Sequence, residues 1–382
     1  MSEPASTADH LVIGGGPAGS MAAILLARAG RAVTLLEKER GPHHKVCGEF
    51  LSREAVDYLH HAGISPRELG APTIRRLCLS AGSRMAQTAL PFCALSLSRW
   101  VLDAALLERA ADHGCTVLRD CCVEHVAREG DQWRVSLENG PAWRAKTVFL
   151  ATGKHDLRGC RRAAGRQNDL VGFKMHWRLA PDRANELRDS MEVFLFPGGY
   201  GGLSCVEGEM SNLCLVVRQH TLRAAGGWDA LFAGLLREND RLRHYLAGSS
   251  AQWPRPLAIS PIPYGYMAAG MRGLWCVGDQ AAVIPSFTGD GMSIALHSAA
   301  LSVRMLLDGG SAEDYGRALN AQLAGNMRLA TWLSRAMVTR AGRRLGVTAL
   351  SAFPQSMRWI AASTRIPARY LLAGADERVH AV

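Results

Sequence analysis

The chain has 382 residues, 48% of them hydrophobic and 20% charged, with a formal charge of +10. That length can bury a large core and holds two domains, or one domain with a large insertion, and the balance is ordinary for a globular enzyme. The basic residues are nearly all Arg and lie spread along the chain, neither clustered on one face nor interleaved with aromatics, which argues against a nucleic-acid partner. An anionic carrier, an acidic lipid surface or an anionic cofactor accounts for the charge equally well. The ten cysteines form no CxxC, and many lie in apolar, strand-like runs where Cys behaves as a small buried hydrophobe. The expectation is a reduced, cytoplasmic protein with no metal site. No leader pattern opens the sequence and no uncharged apolar run reaches membrane-span length, while peripheral contact with the inner membrane face stays open.

The first element is the most informative. The apolar run through Ile13 feeds Gly14-x-Gly16-x-x-Gly19, a helical stretch over Ser20–Ala29, a second apolar run Val33–Leu36, and then Glu37. In such a β-α-β unit the glycines allow a tight turn, close approach of a pyrophosphate and close helix packing. The helix N-terminus attracts the negative charge. An acid at the position of Glu37 accepts hydrogen bonds from a ribose. The unit predicts a dinucleotide site.

A breaker-rich loop over residues 40–48 follows, then a helix over Ser52–Ala62 and strands over Ile74–Leu79 and Ala86–Phe92. Apolar spacing predicts a helix over 97–107 that carries Arg99. Strands follow at Cys115–Leu118, Cys122–Val126, Trp133–Leu137 and Thr147–Ala151, the last running into Thr152-Gly153. Short apolar or alternating runs at Val171–Arg178, Met191–Phe196, Leu203–Val206 and Leu213–Val217, separated by turns, predict an inserted antiparallel sheet. Residues 227–248 read as helical. Trp275-Cys276-Val277-Gly278-Asp279 reads as a buried strand ending in an acid, and Gly289-Asp290-Gly291 opens a helix over Met292–Leu307. The remainder, 311–382, is mostly helical, amphipathic and rich in Arg.

Taken together, the glycine fingerprint with Glu37, the Arg99 helix, the Gly278-Asp279 motif and the order of the inserted sheet resemble the FAD-dependent oxidoreductases of the p-hydroxybenzoate hydroxylase superfamily. Within it, Lys45-Val46-Cys47-Gly48-Glu49 is similar to the "KPCGG" loop of the geranylgeranyl reductase-like branch. The resemblance covers roughly residues 9–310. It implies an α/β (α+β) fold: a Rossmann-like FAD-binding domain of the glutathione-reductase type, an inserted antiparallel substrate domain and C-terminal helices. The expected FAD-binding domain is discontinuous, at 1–70, 95–155 and 256–310. The substrate domain takes 71–94 and 156–255, and the helical region 311–382.

The resemblance also assigns residues. Gly14, Gly16, Ala18 and Gly19 would lie against the pyrophosphate, with Glu37 and Lys38 near the adenosine ribose. Arg99 would reach the pyrophosphate or ribityl region, and Val123 would hold the adenine. Gly153 closes a flavoprotein strand, Asp279 would hold the ribityl or pyrophosphate part, and Gly289 and Gly291 would face the isoalloxazine. Cys47 and Gly48 sit in the loop expected beside the flavin. Cys47 and His176 are the candidate catalytic groups, each against a plainer reading as a packing residue, and Glu49 is read as a salt-bridge partner. Phe173, Trp177, Phe194, Phe196 and Phe287 are expected as walls of an apolar chamber, with Tyr200 and Tyr264 lining it.

Two chemistries follow from the resemblance. The first is a monooxygenase that hydroxylates an apolar or aromatic, polyketide-like metabolite through a C4a-hydroperoxyflavin, in a chamber dry enough to protect it. The alternative is a reductase that saturates isoprenoid or other C=C bonds. Behind them stand a halogenase, whose Trp-x-Trp-x-Ile-Pro motif is missing, and a non-catalytic flavin electron carrier. Many superfamily hydroxylases carry an Asp-Gly motif followed by Arg where this chain reads Ala151-Thr152-Gly153-Lys154-His155-Asp156-Leu157-Arg158. The electron donor is therefore left as NAD(P)H or a separate reductase protein. The substrate is expected to be an apolar small molecule, free or linked to a carrier or lipid.

Overall fold

A computed structural model describes residues 6–268 and 272–371. Residues 1–5, 269–271 and 372–382, which the expected domain spans include, lie outside the described residues.

Two sheets organise the molecule. In the first, strand Ser6–Ile13 is flanked in parallel by Val33–Leu36 and Trp143–Leu150. Thr116–Leu118 extends one edge, and Trp275–Cys276 joins the far end of Trp143–Leu150 in parallel. The antiparallel strands Gln132–Leu137 and Val123–Glu129 continue from its near end. Helices Pro17–Arg28, Arg99–Asp112 and Gly291–Leu307 pack together against this sheet. Its central strand ends in Leu11, Val12 and Ile13, all buried, as expected where helices cover a parallel sheet.

The second sheet runs, from one edge, Ser250–Ala251, Leu170–Arg178, Ser211–Arg218, Gly199–Cys205, Asp189–Phe196, Thr73–Ala81, Arg84–Ser96 and Phe50–Leu51, with Leu257–Ile259 also on Leu170–Arg178. It is mixed rather than antiparallel throughout: Asp189–Phe196 pairs in parallel with Thr73–Ala81, joining the segments on either side of the first sheet's strands.

The strict alternation of strand side chains decides where the site can be. On one face Phe173, Phe194, Phe196, Leu213, Leu215 and Val217 pack with Leu231, Leu235, Leu242 and Tyr245 of helices Trp228–Glu238 and Asp240–Leu246. On the other face Leu195, Tyr200 and Val216 meet Met337, Val347 and Met357 of the C-terminal helices Ala312–Met337, Arg340–Ala352 and Pro354–Ser363. A cleft lies on this second side and runs back to the glycine turn.

Candidate functional site

Strand Ser6–Ile13 stops at Gly14, whose φ of +105° belongs to glycine. A Cβ on Gly19 would fall 1.9 Å from the Gly14 carbonyl oxygen, so the turn closes only without one. Helix Pro17–Arg28 begins with Pro at its first position and with no side-chain cap. Pro17 has no N–H, so the first free N–H groups are those of Ala18 and Gly19, left for an external acceptor, and Ala18 faces the cleft. Glu37 is buried. It accepts from the Gly15 N–H at 2.7 Å and the Glu39 N–H at 3.1 Å, which fixes a carboxylate beside the turn. Helix Gly291–Leu307 likewise starts without a side-chain cap, after Gly289 at φ +74°. Two uncapped helix N-termini and a fixed acid on one cleft fit the pyrophosphate, ribose and polarised ring edge of FAD.

Arg99 opens helix Arg99–Asp112 and forks onto Asp103, with both bonds at 2.7 Å. Lys45 reaches the same carboxylate at 2.9 Å. Burial alone would raise the Asp103 pKa, but Arg99 and then Lys45 hold it below the usual carboxylate range. Arg99 also lies beside Gly16, where a Cβ would meet its guanidinium at 3.3 Å. The guanidinium is thus held against the turn as a fixed positive charge.

The Lys45–Glu49 loop is tied down residue by residue. Lys154 donates to the Val46 carbonyl at 3.1 Å, and the Asn212 amide donates to the Cys47 carbonyl at 3.0 Å. Glu49, at φ +58°, is 0% exposed. It accepts from the Arg99 N–H at 2.7 Å, from Lys174, also 0% exposed, and from His176 at 2.8 Å. Burial alone would raise its pKa; His176 and Lys174 more than offset that and hold it low. His44 packs against His176, Trp253 and Trp100, and burial with the nearby Lys174 charge lowers its pKa to about 4. The atoms of His44, Glu49 and His176 that could ligate a metal lie within 4.8 Å of one another. Both Glu49 oxygens, however, already accept from Lys174 and His176, so the cluster is an ion-paired anchor for the loop.

From the first β-α-β unit, Gly14, Gly16, Ala18, Glu37 and Lys38 line the cleft, while Gly19 sits behind the turn. Cys47, Gly48 and Arg99 line its middle, Val123 and Gly153 its nucleotide end, and Asp279, Gly289 and Gly291 its far wall. Asp279 faces Lys154 at 3.8 Å, and its carbonyl accepts from Arg162, which also holds Asp156 at 2.6 Å. Gln280 donates to the Gly153 and His155 carbonyls, tying the late turn to this segment.

Tyr200, Tyr264 and Phe287 also line the cleft. The phenols meet at Ser286, at 2.9 and 2.6 Å, and burial raises both their pKa values. The other expected walls are elsewhere. Phe173, Phe194 and Phe196 are in the core on the far face of the second sheet, and Trp177 stacks there on Phe232. Their strand positions share a parity that points away from the cleft. His176 is buried in the Glu49 cluster and does not line the cleft, so its place is that of a loop anchor.

The walls come instead from residues that the sequence reading left aside. Met191, Val193, Cys214 and Val216 have the opposite parity, and Leu333, Met337, Leu350, Met357 and Ile360 come from the C-terminal helices. Together they make an aliphatic chamber continuous with the nucleotide cleft, the whole enclosing about 760 Å³. Arg365, beyond the last helix, pairs with buried Asp290 at 2.9 Å and donates to the Thr288 carbonyl. It pins the C-terminal helices to the Gly289-Asp290-Gly291 turn.

The FAD binding domain family model matches residues 7–148. The menaquinone reductase of Mycolicibacterium smegmatis is 27% identical over 329 residues, 81% of this chain and 79% of that protein. The digeranylgeranylglycerophospholipid reductase of Methanocaldococcus jannaschii is 26% identical over 75% of this chain and 74% of its own. Among solved structures, a flavoprotein/dehydrogenase from Cytophaga hutchinsonii superposes with a TM-score of 0.76 at 16% identity, covering 94% of this chain and 92% of that one. The myxobacterial chondrochloren halogenase does so with a TM-score of 0.75 at 21% identity, over 94% and 91%. These two likenesses are of fold. Residues 7–148 thus match an FAD binding domain, and over most of its length the chain is similar to proteins named as reductases, in keeping with an FAD-dependent oxidoreductase.

Proposed function

We propose that this protein is an FAD-dependent reductase that saturates a C=C bond in a long, aliphatic, isoprenoid-type substrate. The observation that carries this is the chamber's lining. It is built mainly from Leu, Met, Val and Ile, with Phe92, Tyr200, Tyr264 and Phe287 among them, is flexible where the C-terminal helices supply Met337 and Met357, and runs on from the nucleotide cleft. Such walls accommodate a flexible chain better than a flat ring, and Met adapts to irregular shapes. The relatives that span most of this chain are named as reductases, which supports the same choice over hydroxylation.

Bound FAD supplies two-electron hydride chemistry. The first turn of helix Pro17–Arg28, Glu37 and Arg99 bind its nucleotide part, and the Gly289–Gly291 turn and the Lys45–Glu49 loop set the position of the ring. The chamber excludes water from the reacting bond. Cys47, at the junction of cleft and chamber, is the candidate to hold or deliver the proton that completes saturation. Tyr200, Tyr264 and Ser286 form the polar spot that orients the substrate's functional end. The two electrons enter from NAD(P)H or from a reductase protein.

The test is product analysis. Reduced holoenzyme is mixed with a polyprenyl quinone or a geranylgeranyl lipid in deuterated water, without oxygen. A product in which a C=C bond has gained two hydrogens, with solvent deuterium fixed on carbon, supports the reading. A product that has gained an oxygen atom when air is admitted, and no saturated product, overturns it in favour of oxygenation.

A further inference from the structure

The three C-terminal helices each present two different faces. Their inner sides carry Leu333, Met337, Leu350, Met357 and Ile360 into the chamber. Their outer sides expose large apolar side chains: Trp332 at 65%, Leu345 at 70%, Phe353 at 69% and Trp359 at 66%. An isolated exposed hydrophobe needs no explanation, but four of this size on one short run of chain do. From Tyr315 to Ala375 the sequence contains nine arginines and no acidic residue. Strand Arg84–Ser96, which packs against the last two helices, also lacks acids and exposes Met85.

On helix Ala312–Met337, Arg328, Trp332 and Arg335 follow at i, i+4 and i+7, one exposed stripe. Arg166, from the segment before strand Leu170–Arg178, joins them around a groove of about 460 Å³. Arg335 donates to the Arg166 carbonyl at 2.7 Å, which braces that side. A groove lined by arginines beside an exposed Trp suits a phosphate group at the boundary of water and hydrocarbon.

We infer that the outer surface of the C-terminal helices docks on an anionic lipid bilayer. Trp332, Phe353 and Trp359 enter the interfacial layer, and Arg328, Arg335 and Arg358 contact lipid phosphates. The physical case is the pairing of the two features. Arginine-only charge fits an anionic surface, and exposed Trp, Phe and Leu gain only where there is hydrocarbon to enter. An acidic carrier protein would use the charge and leave the aromatics without a role. Among the described residues no helix is long and apolar enough to cross a membrane, so the association is with one leaflet. The inference is drawn from the outer faces and stands apart from the reaction assigned to the chamber.

The test uses the full chain loaded with FAD, floated with vesicles of phosphatidylcholine alone or of equimolar phosphatidylcholine and phosphatidylglycerol. The protein is expected to float with the anionic vesicles and to stay behind with the neutral ones. Arg328→Gln with Arg358→Gln should weaken binding roughly thirtyfold, about fivefold per arginine near the surface. Trp332→Ser with Phe353→Ser and Trp359→Ser should abolish flotation while flavin absorbance and melting temperature stay those of the parent. Failure to float with anionic vesicles overturns the inference. So does undiminished binding by the aromatic variant, which would mark a charge-only surface for an acidic protein. Self-association that the aromatic variant loses would give the face to a second copy of the chain. None of these outcomes bears on the saturated product by which the reaction is tested.

Discussion

Replacing Lys174 by Met removes the ammonium from a carboxylate that has no contact with water. Lys174 and Glu49 are both fully buried, and His176 is the other side chain on Glu49. Breaking one partner of such a pair typically costs about 3–5 kcal/mol, because the remaining charge loses its ammonium and, with only His176 and the Arg99 N–H left on it, gains no solvent. With an unfolding entropy of roughly 2.1 cal/mol/K per residue over 382 residues, that corresponds to a melting temperature lower by about 4–6 °C. The loss also has a pH signature. The Glu49 pKa is held below its ordinary 4.5, so its stabilisation is present above that pH and lost as pH falls through the lowered value. Lys174→Met should weaken that acid-side dependence. Glu49→Gln leaves the ammonium unpaired and should be comparably damaging, whereas Glu49→Gln with Lys174→Met is neutral and should recover part of the loss. Thermal melts followed by flavin fluorescence measure all three. An unchanged melting temperature for Lys174→Met, or a double variant whose loss equals the sum of the singles, would refute the assignment of this pair as the loop's anchor.

Gly19→Ala places a Cβ 1.9 Å from the Gly14 carbonyl and should yield folded, colourless protein, seen as normal circular dichroism without flavin absorbance; a yellow variant contradicts the assigned turn. Burial raises the Asp290 pKa to about 7 despite Arg365, so folding favours its protonated form. Stability contributed by this group is full below the ordinary pKa of 3.8 and declines as pH rises toward 7. Melting temperatures at pH 5 and pH 8 should therefore fall more for the parent than for Asp290→Asn, and equal falls would dismiss the effect. Val193→Trp projects into the chamber from the second sheet and should slow turnover of long-chain substrates several-fold while the flavin spectrum is kept. Unchanged turnover would place the substrate elsewhere.

The nucleotide half was legible because its signal is local. Gly14, Gly16, Gly19 and Glu37 lie within one β-α-β unit, and each residue type answers a need of that turn. Arg99 and Asp279 were found through the resemblance, and the structure brings both to the same cleft. The chamber was less legible, since both faces of the second sheet are apolar. Phe173, Phe194 and Phe196 attracted attention by size, yet alternation sends them to the helices. The smaller Met191, Val193 and Val216 line the chamber. Parity told the faces apart but not which one met the flavin side. The parallel pairing of Asp189–Phe196 with Thr73–Ala81 bridges residues more than a hundred positions apart and leaves no local trace. The Glu49 anchor did leave one. Lys174 and His176 sit inside Val-Gly-Phe-Lys-Met-His-Trp, and a lysine in a buried strand must find a carboxylate. Only the fold could show that this carboxylate lies 125 positions earlier, in the Cys47 loop.

The central claim is that the cleft and the aliphatic chamber act together, with electrons leaving the cofactor for a C=C bond in the chamber. Anaerobic single-turnover absorbance tests it most directly. Reduced holoenzyme is mixed with a polyprenyl substrate, and the return of the oxidised flavin band is timed. The account predicts reoxidation without oxygen, dependent on substrate concentration and slowed by Val193→Trp. A band that returns only when oxygen is admitted, at a rate indifferent to the chamber variant, would contradict it.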